Sequence, residues 1–164
     1  MYKLVIREAA QSDATAIHEI HMASVRMLCA STYTSEEINS WSSNPDAERY
    51  VRQMDEGRLF LLAVDGATAF GFGALDIAKQ EIASLFVHPG HAGHGIGAEL
   101  LRALETMAAH QGLREITVHS SLNARHFYEK YGYGKGELEK FQLWSGLQIN
   151  AIRLIKNLSH SKRQ

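Results

Sequence analysis

Apolar residues along this chain first change their spacing near residue 58. Before that point, Ile17, Ile20, Met27 and Leu28 recur at helical intervals, with His21 and Ser24 on the same stripe. Ser12 or Asp13 precedes the run and suits an N-cap, so the pattern predicts a helix reaching about residue 30. A first strand is expected at 3–7, and shorter helices at 35–41 and 46–56. Beyond residue 58 the period shortens to that of strands. Segments 59–64 and 69–76 flank the turn Asp65-Gly66, and 81–87 follows as a third strand that Pro89 must end, because proline cannot donate to a ladder. Helical spacing returns over 95–110, with Ile96, Leu100, Leu104, Met107 and Ala108 as the buried stripe. A strand at 114–119, a helix at 123–131 stopped by Gly132, and a hairpin of 136–144 with 147–156 complete the chain.

Leading helices followed by a mostly antiparallel sheet that carries two later helices make an α+β (mixed α/β) layout. No repeat, low-complexity stretch or composition break marks a linker. Residues 1–158 are therefore read as one domain and 159–164 as a tail. The chain's 164 residues, 45% of them hydrophobic, suffice for a sizeable core. A net charge of −1 supplies no field that would recruit nucleic acid or an acidic membrane, and the basic cluster Lys156, Lys162, Arg163 reads as a frayed terminus. No apolar run approaches the roughly 18–20 residues of a membrane span, and the opening MYKLVIREAA lacks a signal peptide's apolar stretch. With Cys29 as its one cysteine the chain has no internal disulfide, and a soluble cytoplasmic protein is expected.

The richest segment is LFVHPGHAGHGIGAELL, residues 85–101. A strand ends at Pro89, a helix begins near Gly95, and Gly90, Gly93, Gly95 and Gly97 lie between or just inside. Glycines let a ligand approach the backbone, and the free N–H groups at a helix start favour an anion. The physical reading is a diphosphate cradle of main-chain amides; the alternative is a glycine-rich turn with no ligand. A P-loop would need Gly-Lys-Ser/Thr, which is absent, and Gly93-x-Gly95-x-Gly97 has the wrong spacing for a dinucleotide fingerprint.

These residues resemble the GNAT acetyltransferase superfamily. The match runs through Leu85-Phe86-Val87-His88-Pro89, then Gly93-His94-Gly95-Ile96-Gly97, then Leu100-Leu101. The family's Arg/Gln-x-x-Gly-x-Gly/Ala loop falls on Ala92, Gly95 and Gly97. A second match is Asn123-Ala124-Arg125-His126-Phe127-Tyr128-Glu129-Lys130-Tyr131-Gly132-Tyr133, and a weaker third is the hairpin at 61–75 with Asp65-Gly66 and Gly71. The resemblance implies a GNAT-like sheet splayed between the strands at 81–87 and 115–119 and flanked by helices. It implies acetyl-CoA as acyl donor, its pantetheine arm paired with the backbone of Leu85 and Val87, next to Phe86. Amides from Ala92 through Gly93, His94, Gly95, Ile96 and Gly97 to Ala98 would hold the pyrophosphate, and Asn123 would bond the pantetheine or order the loop around it. One departure stands out: Ala92 occupies the usual Arg/Gln position, and His91 and His94 flank the gap.

The implied reaction is acetyl transfer to a primary amine, on a small molecule or a peptide, by direct attack in a ternary complex. A catalytically silent acyl-CoA-binding module is the alternative. Tyr128 matches the family's tyrosine near the CoA sulfur, and a phenol with a pKa of about 10 suits protonation of a thiolate; it could equally be a core aromatic beside Phe127 and Tyr131. The Val87 N–H would polarise the thioester carbonyl. Glu81 matches a glutamate of the family's histone acetyltransferase branch, and its even offset places it on the face of Ala83, Leu85 and Val87. Glu81 is a candidate base; an exposed strand-start glutamate, His119 or water are the alternatives. His88, His91 and His94, on a glycine loop without carboxylate or cysteine, do not make a metal site. Cys29, beside Met27 and Leu28, reads as a small buried residue and not as a nucleophile. His21, Ser24, Tyr33 and Trp41 are the candidates for the acceptor pocket. The sequence leaves the acceptor's identity, the acyl group and a homodimer open.

Overall fold

The computed structural model describes residues 3–158, so the tail at 159–164, including Lys162 and Arg163, lies outside the described residues. The elements in chain order are β1 (Val5–Glu8), α1 (Ala14–Leu28), α2 (Ser35–Trp41), α3 (Glu48–Asp55), β2 (Leu59–Asp65), β3 (Thr68–Asp76), β4 (Glu81–Val87), α4 (Ile96–His110), β5 (Glu115–Ser121), α5 (Arg125–Lys130), β6 (Gly134–Gln142) and β7 (Gln148–Asn157). The strands form one seven-stranded sheet in the order β1-β2-β3-β4-β5-β7-β6. Every neighbouring pair is antiparallel except β4 and β5.

β2 and β3 are buried on both faces, which explains their nearly continuous apolar runs. Phe60, Leu62, Phe72 and Ala74 face α1 and α3, where Ile17, Ile20 and Tyr50 cover them. The other face meets Leu100 and Leu104 of α4. Gly73 is needed there, because a Cβ would stand 2.6 Å from Leu104 Cδ1.

Two sequence expectations for α1 fail. Met27 and Leu28 are 69% and 38% exposed, and Met22 and Val25 take the buried places. The helix stripe drifts, so an apolar residue near its end need not stay on the core side. Neither Ser12 nor Asp13 caps the helix through its side chain: a 3₁₀ turn at Gln11–Asp13 precedes it. The Asp13 carboxylate turns back to accept from the Ala10 N–H at 2.7 Å and to pair with Arg7. On α4, Leu101 is buried, and Met107 is only half-buried. No helix among the described residues is long and apolar enough to cross a membrane.

The feature that makes a site is the failure of β4 and β5 to stay together. They pair only at Glu81↔Thr117 and Ile82↔Val118, whereas β5 pairs with β7 along its whole length. Beyond Ile82 the two strands splay and leave a slot in the sheet.

Candidate active site

One wall of the slot is the backbone of β4. His88 donates its N–H to the Phe70 carbonyl on β3 at 2.7 Å. Backbone groups alternate along a strand, so Phe86 and Ser84 also face β3, and Leu85 and Val87 direct their N–H and C=O groups into the slot. Among the described residues no strand pairs with them there, because β5 has already diverged.

At one end of the slot, Pro89–His91 makes a single 3₁₀ turn in which His88 Nδ1 accepts from the Gly90 N–H at 3.1 Å. The chain then reaches Gly95, the N-cap of α4, with φ at +81°, which glycine adopts without strain. The first intrahelical bond runs from the Glu99 N–H to the Gly95 carbonyl. The N–H groups of Ile96, Gly97 and Ala98 therefore have no carbonyl within the helix, and they point at the slot with the positive end of the helix dipole.

A cavity of about 400 Å³ fills this region. It is lined by every residue expected to hold the cofactor except His94, which is exposed and approaches the His91 carbonyl at 3.1 Å through Nδ1. His91 lines the cavity with its ring against Phe70, 4.2 Å between centroids. Sequence reasoning missed the far wall: Ser24, Leu28 and Cys29 from the end of α1, and Phe127 and Tyr131 from α5. The spacing of Ser24, Leu28 and Cys29 is that of one helix face, a signal that the mistaken α1 stripe obscured. Asn123 sits at the rim and donates from Nδ2 to the Leu28 carbonyl at 3.2 Å, tying the end of α1 to the turn before α5. Burial pushes the Cys29 thiol up to about 11, partly offset by Asn123, so at neutral pH it is not a thiolate.

Ala92 is half-buried at this cavity. Arginine there would gain a charge-assisted bond to a bound phosphate, roughly 1.5–3 kcal/mol, less about 1–2 kcal/mol for ordering its side chain. Ala92→Arg is expected to bind acetyl-CoA a few-fold to about tenfold tighter, and less so in high salt. Calorimetry at two ionic strengths checks it; weaker binding would mean that His91 or the loop itself already fills that space.

Tyr128 is buried on α5 at 5% exposure, with its ring edge-on to Phe127 and Tyr133. Among the described residues no hydrogen bond engages its hydroxyl, and the residue lines the cavity. Burial holds its phenol well above the usual range, so the proton stays on.

The face expected for Glu81 is wrong. Ser84 pairs with Ala74 and Ile82 with Leu75, so Ala83 is an extra residue, a β-bulge that shifts the alternation. Ala83 packs with Phe86 on the α1 side, opposite Leu85 and Val87. Glu81 shares the α1 side and reaches His119, with Oε1 3.5 Å from Nε2. Glu139 of β6 holds the other ring nitrogen, Nδ1. The Glu81 hydrogen bond, with Glu139 adding and burial opposing, raises His119 to about 9. At neutral pH His119 is thus an imidazolium, not the free base that its ordinary pKa suggests.

That pairing has a stability consequence. The folded value lies above the unfolded value of about 6.5, so the stabilisation is complete below that pH and is lost as pH rises through about 9. A His119→Gln variant is expected to melt below wild type near pH 6, with the gap closing by about pH 10. Thermal scans at both values check it; a pH-independent gap would mean that the ring only packs.

A second cavity, about 300 Å³, lies on the α1 side of β4. His21, Tyr33 and Trp41 line it as expected, and Ser24 does not; Ser24 faces the first cavity. Tyr33 is a structural staple, donating to the Asn150 carbonyl at 2.6 Å and accepting from the Leu122 N–H at 2.9 Å. The two cavities share Phe86 and Ser121, so they meet in the slot beside β4. Arg49 and Arg58, which line this second cavity, and Glu139, which stands behind His119, were missed, because they come from separate elements and share no local spacing. Among the described residues no three His, Cys, Asp or Glu side chains converge as a metal site.

A profile of the acetyltransferase (GNAT) domain matches residues 29–146. A GCN5-related N-acetyltransferase structure from Rhodopseudomonas palustris superposes with a TM-score of 0.86 at 29% identity, covering 96% of this chain and 97% of that one. PaiA N-acetyltransferase from Thermoplasma acidophilum, in complex with coenzyme A, gives a TM-score of 0.75 at 24% identity over 94% and 99% of the two chains. Salmonella typhimurium yncA, with its cofactor acetyl-CoA, gives 0.72 at 19% identity over 99% and 98%. The last two likenesses are of fold.

Proposed function

The chain belongs to the GNAT acetyltransferase family, and on that premise we propose that it transfers the acetyl group of acetyl-CoA to a primary amine by direct attack in a ternary complex. The observation that carries this reading is the slot itself: unpaired β4 backbone leads from the amides of α4 to a junction with a second cavity. The donor would enter as an added strand along Leu85 and Val87, with its diphosphate on the amides from Ala92 to Ala98. Coenzyme A in the Thermoplasma acidophilum protein and acetyl-CoA in yncA support that choice of donor. Nothing in the site favours a catalytically silent module.

The amine nitrogen attacks the thioester carbon from the side of Phe86 and Ser121. The carbonyl oxygen gains negative charge and accepts from the Val87 N–H, a fixed dipole that needs no reorganisation. Glu81 takes the ammonium proton through water, since it stands behind His119 and lines neither cavity. The C–S bond then breaks and the sulfur takes the Tyr128 proton, leaving the N-acetylated amine and free CoA. Both acids exchange protons with solvent before the next cycle. Cys29, held protonated, is a poor acyl carrier, which favours direct transfer.

Thiol release from acetyl-CoA across a panel of amines tests the proposal: release must depend on the amine. In the same assay Glu81→Gln is expected to lower kcat/KM by about 10²-fold. An unchanged kcat/KM would give the proton to water alone.

A further inference from the structure

The second cavity has an unusual charge inventory. Its charged lining residues are Arg49, Arg58 and His119, and no aspartate or glutamate among the described residues lines it. Arg58 is neutralised from behind by Asp76 at 3.3 Å, and His119 by Glu81 and Glu139. Arg49 has no such partner: the neighbouring Asp46 carboxylate is taken by Arg52, and among the described residues no carboxylate lies within ion-pair distance of Arg49.

Arg49 is nonetheless held in place. It donates from Nη1 to the Asp46 carbonyl at 3.0 Å and from Nη2 to the Tyr50 hydroxyl at 2.6 Å, and it lies 4.5 Å over the Tyr50 ring. These bonds use two of the five guanidinium donors and leave three. Its field also sets the state of the wall beside it. Burial first, and then Arg49, lower His21 to about 3, so that ring is neutral. The Tyr50 hydroxyl accepts from Arg49 and also shares a 2.8 Å hydrogen bond with His21 Nδ1, so Arg49, Tyr50 and His21 form one connected chain along the wall. The His21 ring lies 4.3 Å from that of Phe86, at the junction of the two cavities. Asn44 spends its side-chain oxygen on the Asp46 N–H at 2.9 Å, leaving its NH₂ group as donor. A cationic, donor-rich wall without a carboxylate is built for an anion. The cavity's small volume fits a small molecule better than a folded partner.

We infer that the acceptor is a small primary amine that also carries a carboxylate, bound by Arg49 at the α3 end of this cavity while the amine lies toward Phe86 and Ser121. The inference rests on the transferase reading above and names its substrate class. A carboxylate accepts from a guanidinium fork in a planar, charge-assisted arrangement that its carboxamide cannot reproduce.

The test is thiol release from acetyl-CoA by the full chain, with α-amino acids and longer ω-amino acids each compared with its carboxamide, and with polyamines alongside. Wild type is expected to favour acids over amides by at least about tenfold in kcat/KM, mainly through KM, with the preference shrinking in high salt. Arg49→Gln brings the acid-to-amide ratio near one; Arg49→Lys, which keeps charge but not the fork, falls between. The wild-type ratio stands even if a variant does not fold. Equal use of acids and amides, or a preference for amides or polyamines, overturns this inference and leaves the transferase reading intact. A preference that survives in folded Arg49→Gln removes Arg49 from the role. Absence of thiol release with every amine overturns the transferase reading, and this inference with it.

Discussion

A Gly97→Glu variant is expected to fold as wild type does and to bind acetyl-CoA about 10²–10³-fold more weakly. Gly97 is the second residue of α4. A Cβ there would meet the Phe127 ring at 3.5 Å and Val87 Cγ2 at 3.6 Å, ordinary contact distances, so the protein accepts a side chain at this position. Glutamate is also a better helix former than glycine by about 0.5–1 kcal/mol, and an acid in the first turn suits the helix dipole. The same side chain would occupy the cavity between β4 and α5 and set a carboxylate against the incoming diphosphate. Two unit charges about 4 Å apart repel by roughly 4 kcal/mol at an effective dielectric constant of 20, and partial exposure reduces this toward 3. Each 1.4 kcal/mol or so is tenfold in affinity, which gives the stated range. Gly95→Glu would be a poorer experiment, since its φ of +81° strains any other residue. Calorimetry with a thermal melt checks the result; near-normal affinity in a folded variant would move the diphosphate off this loop.

Tyr128→Phe is expected to lower kcat by about 10²–10⁴-fold with acetyl-CoA affinity and melting temperature essentially unchanged. The separation of these readouts follows from its surroundings. The ring packs against Phe127 and Tyr133, and phenylalanine keeps that packing. The hydroxyl makes no hydrogen bond among the described residues, so its removal strands no partner, and the melting temperature has no reason to fall. What is lost is the proton. Burial raises this phenol's pKa, and the same dry surroundings raise that of a departing thiol, so the two acids stay comparable in the slot. A residue serving only as a core aromatic would lose neither rate nor stability on this change, and full turnover in the variant would show that role.

The glycine loop was legible in the sequence because its chemistry is that of the backbone. A strand stopped by Pro89 and a helix started at Gly95 fix where free amides point, whatever lies elsewhere. Strand β4 was legible as an element, yet the face of Glu81 was not. The Ala83 bulge arises from how β4 registers on β3, and Glu81-Ile82-Ala83-Ser84 alternates no differently from an unbulged strand. Met27 and Leu28 misled for a related reason: apolar character marks what can be buried, and tertiary packing chose Met22 and Val25. Arg49 and Glu139 were out of reach, since each gains its meaning from a residue brought near by the fold: His21, joined to Arg49 through its chain neighbour Tyr50, and His119 for Glu139.

The central claim is direct transfer of acetyl from acetyl-CoA to an amine, and single-turnover mass spectrometry tests it most closely. Protein in excess is mixed with acetyl-CoA, and then with an accepted amine. The predicted result is an unmodified protein mass and intact acetyl-CoA before the amine is added, then N-acetylated amine and free CoA in equal amounts. An acetylated protein before the amine is added, or CoA released without N-acetylated product, would contradict it.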